Sequence, residues 1–293
     1  MTRLRVVVTG ASGFIGQFVV PALRARGHEV LALDRAAVGD IDGFTDWSAH
    51  LAGSDAVVHL AALAHSRHVE EARLRAVNVD GAVALGRAAA AAGTRMLQMS
   101  TVKVLGEETP LRPFDDSSPP APRGAYAHAK AAAEAGLRAV PDLSLILLRP
   151  PLVYGPGVKA NFLALMRAIA RGWPLPLASI ENRRSFVYVG NLADAVVRCV
   201  EAPQASGNAF GVADGVPLST PVLCRALGAA LRRPARLFNF PSSLLELAPP
   251  AASLTRSLVL DDGALRRQLD WEPAYSFEAG LRRTAQWFRT QGG

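Results

Sequence analysis

Residues 5–9, Arg-Val-Val-Val-Thr, run directly into Thr9-Gly10-Ala11-Ser12-Gly13-Phe14-Ile15-Gly16, and a helical pattern then carries residues 14–26 to a stop at Gly27. A strand, a glycine-rich turn and a helix in that order restrict the folds open to a chain. Gly10 permits the tight turn, Gly13 lets a pyrophosphate approach the helix N-terminus, and Gly16 allows the helix to pack closely on the sheet. Glycines at this spacing also serve in turns that bind nothing. The strand–turn–helix context is what points to a dinucleotide.

The rest of the first half repeats the alternation. Short strands are expected at residues 29–33, 56–60, 96–100 and 143–148, with helices at 82–92 and 126–140 and a Pro-rich loop at 110–122. Strands alternating with helices imply an α/β fold of Rossmann type, a doubly wound parallel sheet. After Arg149 prolines interrupt the pattern, and helices are expected at 162–171 and 191–201. From residue 220 the chain reads as mostly helical, with loops at Pro241, Pro249 and Pro273. The expected organisation is a dinucleotide-binding domain over 1–150, to which 186–212 return, and a smaller C-terminal substrate-binding lobe drawn mainly from 151–293.

Asp34 closes the second predicted strand. A carboxylate there can accept the hydroxyls of an adenosine ribose and repels a 2′-phosphate, which favours NAD. Arg35 follows and could attract that phosphate, so NADP stays open. A strand-end aspartate can also simply cap a turn.

Composition excludes several classes. The net charge of +7 and pI near 10.1 come from arginines scattered along the chain, without a dense basic run or interleaved aromatics, so no nucleic acid is expected. A basic cleft for a small anionic substrate is the functional alternative to an Arg-rich solvated surface. The opening Arg3-Leu4-Arg5 leads into a short strand rather than a signal peptide, and no apolar run is long enough to span a bilayer. Cys199 and Cys224 show no paired spacing, so neither a disulfide nor a zinc framework is expected. His65 and His68 have a spacing that metals sometimes use, but no third ligand is evident, and no metal is expected. A cytoplasmic protein without a membrane partner is the resulting expectation.

Only three of the 32 basic residues are lysines: Lys103, Lys130 and Lys159. Lysine differs from arginine where a compact, tunable ammonium is needed. Lys130 follows Tyr126 by four residues on a predicted helix, so the two side chains share a face. A phenol is a poor base near neutrality because its ordinary pKa is about 10. A neighbouring ammonium and a cationic nicotinamide ring both favour phenolate and would lower that pKa. Tyr126 could then take a proton from a substrate hydroxyl as hydride leaves the same carbon, with Lys130 also holding the nicotinamide ribose. The helix follows a strand that ends at Ser100-Thr101, which supplies a hydroxyl donor. Tyr-x-x-x-Lys also arises by chance on solvated helices, so the surrounding pattern matters.

At this point the chain resembles the extended short-chain dehydrogenase/reductases of the nucleotide-sugar epimerase/dehydratase group, nearly end to end. The matching residues are the Gly10 cluster, Asp40-Ile41, His59-Leu60-Ala61-Ala62, Val77-Asn78-Val79, Ser100-Thr101, Tyr126 with Lys130, Arg149-Pro150 and Val153-Tyr154-Gly155-Pro156-Gly157. Arg184-Ser185-Phe186-Val187-Tyr188-Val189 and Leu269-Asp270-Trp271 extend the match. The resemblance implies that Asp40 and Ile41 meet the adenine, that Leu60, Ala61 and Ala62 line the cofactor, and that Asn78 supports this region. It places Gly10, Gly13, Phe14, Ile15, Gly16, Asp34, Arg35, Ser100, Tyr126, Lys130 and Pro150 among the cofactor contacts. It makes Thr101 the hydroxyl partner of Tyr126, and Thr101, Asn161 and Arg184 substrate contacts, the last two at the diphosphate of a nucleotide sugar. Arginine's forked donors suit phosphate oxygens. A homodimer is a further expectation from the family; the Ala-rich faces of 82–92 and 127–139 could serve it or could face the sheet.

Departures from the family pattern narrow the chemistry. Val102 and Lys103 stand where sugar 4,6-dehydratases carry an acidic pair, so water elimination lacks its acid and base. Leu105 replaces a common tyrosine, Leu152 a substrate-binding asparagine of many epimerases, and Asn191 a frequent aspartate. Lys103 could face the substrate or the Pro-rich loop, and Lys159 could add charge near a phosphate. The expected function is an NAD-dependent nucleotide-sugar epimerase, UDP-hexose 4-epimerase-like. The alternatives are an NAD(P)H-dependent 4-keto nucleotide-sugar reductase in polysaccharide synthesis, and a sensor that only holds the dinucleotide. Intact Thr101, Tyr126 and Lys130 speak against the sensor.

Overall fold

The valines of β1 (Arg5–Thr9) form the centre from which a six-stranded sheet grows. β2 (Glu29–Leu33) pairs on one side and β3 (Ala56–His59) on the other, followed by β4 (Arg95–Met99), β5 (Leu145–Arg149) and β8 (Ala209–Gly211), all parallel. The computed structural model describes residues 2–64, 70–109, 112–246 and 254–291 of the chain. His65, His68, Pro249 and part of the Pro-rich loop therefore lie outside the described residues.

A parallel sheet is covered on both faces, so its strands are apolar throughout rather than alternating. Val6, Val8, Val58, Leu97, Ile146 and Leu148 pack on one side with α1 (Gly16–Ala25) and α8 (Val189–Glu201). Val7, Val57, Met96, Leu145 and Leu147 pack on the other with α5 (Gly81–Ala91) and α6 (Gly124–Arg138). The Ala-rich faces of these two helices meet each other and the core. A Cβ on Gly136 would strike Val83, and one on Gly86 would strike Leu137.

α5 is entered through α4 (Glu71–Arg75) and a π-helical turn over Ala76–Asp80. Short helices α2 (Arg35–Val38) and α3 (Ser48–Leu51) follow β2. β6 (Leu152–Tyr154) and β7 (Phe186–Tyr188) form a separate two-stranded parallel sheet flanking α7 (Ala160–Ala170). With α9 (Thr220–Leu231) and α12 (Phe277–Thr290) they enclose a second core around Tyr154, Phe162, Met166, Leu227 and Phe288. α10 (Ser242–Glu246) and α11 (Gly263–Leu269) complete the described helices. None of them is long and apolar enough to cross a membrane.

The three-residue strands β6, β7 and β8 are too short to show a period in sequence. β8 joins the main sheet because backbone pairing with β5 covers an otherwise open edge. Chain order in the sheet reverses between β1 and β3. The carboxyl ends of those strands thus form the crevice where ligands of doubly wound sheets bind.

Candidate active site

The glycine turn opens at that crevice. Gly10 has φ +68°, a conformation costly for other residues, and a Cβ there would lie 2.7 Å from the Ala61 backbone nitrogen. The first turn of α1 carries no acidic side chain and its N-terminus no side-chain cap, so its N–H groups and dipole are open to an anion. This cradle fits a dinucleotide pyrophosphate. Phe14 and Ile15 are half-buried at its rim. A Cβ on Gly157, on the turn after β6, would lie 3.5 Å from the Phe14 ring, and Phe14 packs against the second core, which brings the second lobe over the cradle.

The next segment is held by Asn78, buried in the π turn. Its Oδ1 accepts the Leu63 N–H at 2.8 Å and its Nδ2 donates to the Leu63 carbonyl at 3.0 Å. This imitation of a strand partner pins the stretch containing Leu60, Ala61 and Ala62 beside the glycine turn. π-helical turns recur at functional sites because they re-aim a side chain.

Asp34 caps α2, its Oδ1 accepting the N–H groups of Ala36 and Ala37 at 3.0 and 3.1 Å. The capping alternative is thus realised, and Oδ2 is left for another donor. Arg35 and Asp40 pair with each other, Nη2 to Oδ1 at 2.5 Å, with Arg73 Nη2 at 3.5 Å from the second oxygen. Ile41 is buried with Leu33 and Trp47.

Ser100 is buried, and its hydroxyl donates to Glu134 Oε1 at 2.5 Å. Pro150 is buried too, its carbonyl accepting the Val102 N–H at 3.0 Å. Arg149 grips the same Glu134 carboxylate at 3.0 and 2.6 Å, and Arg138 adds a contact at 3.1 Å. Burial alone would raise the Glu134 pKa. The bonds and charge of Arg149, with Ser100 and Arg138, outweigh it and hold the carboxyl below its usual range. Glu134 is the residue that sequence reasoning missed. The available signal was an acid one further helical step along the Tyr126–Lys130 face.

Lys130 is buried and donates from Nζ to the Met99 carbonyl at 2.9 Å, tying α6 to the carboxyl end of β4. Burial lowers its pKa to about 8, partly opposed by the charge of Glu134. Tyr126 stands one turn earlier, half-buried, and its hydroxyl makes no hydrogen bond to a described residue. The expected lowering of its pKa is not met in this arrangement: burial pushes the phenol up to about 12. Thr101 lies past the end of β4 with an extended backbone, its Oγ1 accepting the Lys103 N–H at 3.3 Å.

Val102, one of the two positions acidic in dehydratases, is buried against Leu258, Leu260 and Phe114. Lys103 is partly exposed and pairs with Glu107 at 3.6 Å. Leu105 is a buried core residue. Asn191 clamps the second lobe, donating to Asp214 Oδ1 at 2.7 Å and to the Tyr275 carbonyl at 2.9 Å.

In the second lobe Arg184 is strung between two extended segments, exchanging backbone bonds with Leu218 at 2.9 Å. Its guanidinium donates to the Arg256 carbonyl at 2.9 Å. Burial lowers its pKa, with Glu107 pulling the other way. Arg256, unanticipated from sequence, sits beside it and faces Glu108 at 3.9 Å. Asn161 is exposed in the first turn of α7, beside Lys159 at the N-cap. Among the described residues no group of three His, Cys, Asp or Glu could hold a metal.

A glycine cradle and a Tyr–Lys helix at the carboxyl edge of one parallel sheet define a Rossmann-type enzyme of the short-chain dehydrogenase/reductase architecture. Residues 6–213 match the NAD dependent epimerase/dehydratase family, and the chain belongs to that family. A UDP-glucose 4-epimerase of Vibrio cholerae is 34% identical, over 97% of this chain and 95% of its own. The solved UDP-glucose 4-epimerase of Thermus thermophilus, in complex with NAD, superposes with a TM-score of 0.77 at 25% identity, covering 98% of this chain and 99% of that one. The fold is also that of a UDP-N-acetylglucosamine 4-epimerase from Bacillus cereus, with TM-score 0.82 at 23% identity over 98% and 99% of the two chains.

Proposed function

We propose that the protein is an NAD-dependent 4-epimerase of UDP-hexoses. The observation that carries this reading is the anchoring of Lys130 on the Met99 carbonyl, which sets the Tyr126–Lys130 face at the strand end beside the glycine cradle. Gly10, Gly13 and Gly16 with the N-terminus of α1 hold the pyrophosphate, and the second Asp34 oxygen takes the ribose hydroxyls. Arg35 is engaged with Asp40, which favours NAD over NADP. When bound, the nicotinamide supplies reversible hydride exchange, and its positive ring favours the phenolate that burial alone opposes.

Tyr126 removes the proton of the sugar 4-hydroxyl and later returns it, while Thr101 donates a hydrogen bond to the same oxygen. Lys130 keeps a positive charge one turn from the phenol and stabilises its ionised form. Arg184 and Asn161 grip the diphosphate. The Arg184 guanidinium has a backbone carbonyl as its hydrogen-bond partner and, among the described residues, no carboxylate within salt-bridge distance, so its charge is available to an anion. Dehydration is disfavoured because neither Val102 nor Lys103 offers a carboxyl group.

The same proposal assigns residues 1–150 and 186–212 to the cofactor half and most of 151–293 to the substrate lobe. It includes a homodimer, readable by sedimentation, and a cytoplasmic setting, which the two buried unpaired cysteines fit. The test is incubation of purified protein with UDP-glucose or UDP-N-acetylglucosamine, with and without added NAD. The 4-epimer should form without net cofactor consumption. Stoichiometric consumption with a 4-keto sugar would favour the reductase alternative, and dinucleotide binding without turnover would sink the enzymatic reading.

A further inference from the structure

Two buried polar atoms on adjacent strands have no hydrogen-bond partner among the described residues: His59 Nε2 and Gln98 Oε1, in residues each 1% exposed. His59 ends β3, and Gln98 is its register partner on β4. Residues opposite each other on paired strands project from the same face of the sheet. Unpaired buried polar atoms are few in native proteins, and each calls for an explanation.

The far ends of both side chains are anchored. Thr9, the partner of His59 on β1, has its Oγ1 2.7 Å from His59 Nδ1. The same oxygen accepts the Ala61 N–H at 3.4 Å. Where the Thr9 hydroxyl donates its proton to Nδ1, the imidazole proton sits on Nε2. On the other side, Gln98 Nε2 donates to the Met99 carbonyl at 3.2 Å, the carbonyl that also receives Lys130 Nζ. With its nitrogen engaged, Gln98 presents an oxygen acceptor complementary to the His59 N–H. The sequence of groups runs from the residue before Gly10 to the lysine of the Tyr–Lys pair.

We propose that Thr9, His59 and Gln98 form a buried positioning relay, closed between His59 Nε2–H and Gln98 Oε1 through one water, that fixes the Met99 carbonyl and thereby the Lys130 ammonium. The importance of this relay for turnover rests on the acid–base reading of Tyr126 and Lys130; its geometry does not. Burial and the charge of Lys130 push the His59 pKa down to about 3, so the ring is a fixed neutral donor at working pH. Glu134 is the other charged group acting on Lys130.

Three lysines and six histidines give simple spectra in protein carrying 13C-labelled lysine and histidine side chains. In Gln98→Glu a carboxylate replaces the amide between His59 and Lys130. The titration midpoints of both should rise by at least about one unit, as expected for a nearby opposite charge, while Lys103 and Lys159 stay put. Gln98→Leu should lower kcat about tenfold and shift the pH limb of kcat, with KM changed by less than about twofold. A loss of packing alone would reduce the folded fraction without moving that limb. Unmoved His59 and Lys130 midpoints in folded Gln98→Glu overturn the relay. If that variant does not fold, an unchanged Lys130 midpoint and an unchanged pH limb in Gln98→Leu overturn it equally. Absence of nucleotide-sugar turnover in the unaltered protein would instead count against the proposed function and leave the titration test standing.

Discussion

Glu134 and Arg149 form a two-pronged ion pair, 3.0 and 2.6 Å, between side chains only 2% and 4% exposed. The pair joins α6 to the end of β5, and through Ser100 to the residue that follows β4. It therefore braces the helix on which Tyr126 and Lys130 stand. Replacing buried pairs with apolar residues is often neutral, whereas removing one partner strands a charge in the interior.

Arg149→Met should accordingly destabilise the fold by about 3–5 kcal/mol, measured by denaturant unfolding. Glu134→Leu combined with Arg149→Met should be milder than Arg149→Met alone. A loss below about 1 kcal/mol for the single substitution would mean that the pair is not a brace. The acid limb of stability should change as well. A carboxyl held below its usual range contributes stability above the unfolded pKa, and that contribution is lost as pH falls through the folded value.

Tyr126→Phe should lower turnover by at least about a hundredfold, the scale of a general acid–base contribution, while dinucleotide affinity stays within about twofold. Single-turnover kinetics and fluorescence titration of the dinucleotide separate the two. Retained turnover would remove Tyr126 from the chemistry.

Arg184→Ala should raise KM for a nucleotide sugar by about ten- to a hundredfold, the scale of a charge-assisted bond to phosphate, and leave dinucleotide binding unchanged. The apo protein offers a control, since the Arg184 guanidinium also holds the Arg256 carbonyl. Isolated substrate-affinity loss in a variant with unaltered melting behaviour is the expected pattern; equal loss of cofactor affinity would point to a misfolded lobe.

Asp214 predicts a pH dependence of opposite sign. Burial raises its pKa to about 6, against the bonds it accepts from Asn191, the Tyr188 N–H and Tyr154. Since the folded value lies above the unfolded one, the native state holds the proton more tightly. Stability contributed by this group is therefore fully present below pH ~4 and is lost as pH rises towards about 6, on the order of 3 kcal/mol in all. Asp214→Asn should flatten the stability profile in that window. An unchanged slope would show that the carboxyl titrates normally.

The glycine turn was legible in sequence because its requirements are local: Gly10 needs its positive φ and its closeness to Ala61 whatever else the chain does. The Tyr126–Lys130 face was legible for the same reason, since helical spacing alone aligns residues four apart. A motif position does not state which way a side chain turns. Ser100 turns to a carboxylate 34 residues away, and Ile41 into the core. Glu134 went unnoticed because its partner Arg149 is on a different element, and nothing local distinguishes a buried acid from a solvated one.

Short-range sterics and periodicity are written into the order of residues, and they sufficed for the alternation of strand and helix, the dinucleotide turn and the Tyr–Lys spacing. Which charges are buried, and what holds them, came from the folded chain alone. Desolvation and pairing across strands, rather than spacing, brought Lys130 down to about 8, raised Tyr126 to about 12, and set Thr9, His59 and Gln98 in a row beneath the site. Those shifts depend on neighbours far apart in the chain, and so they appear only when it has folded.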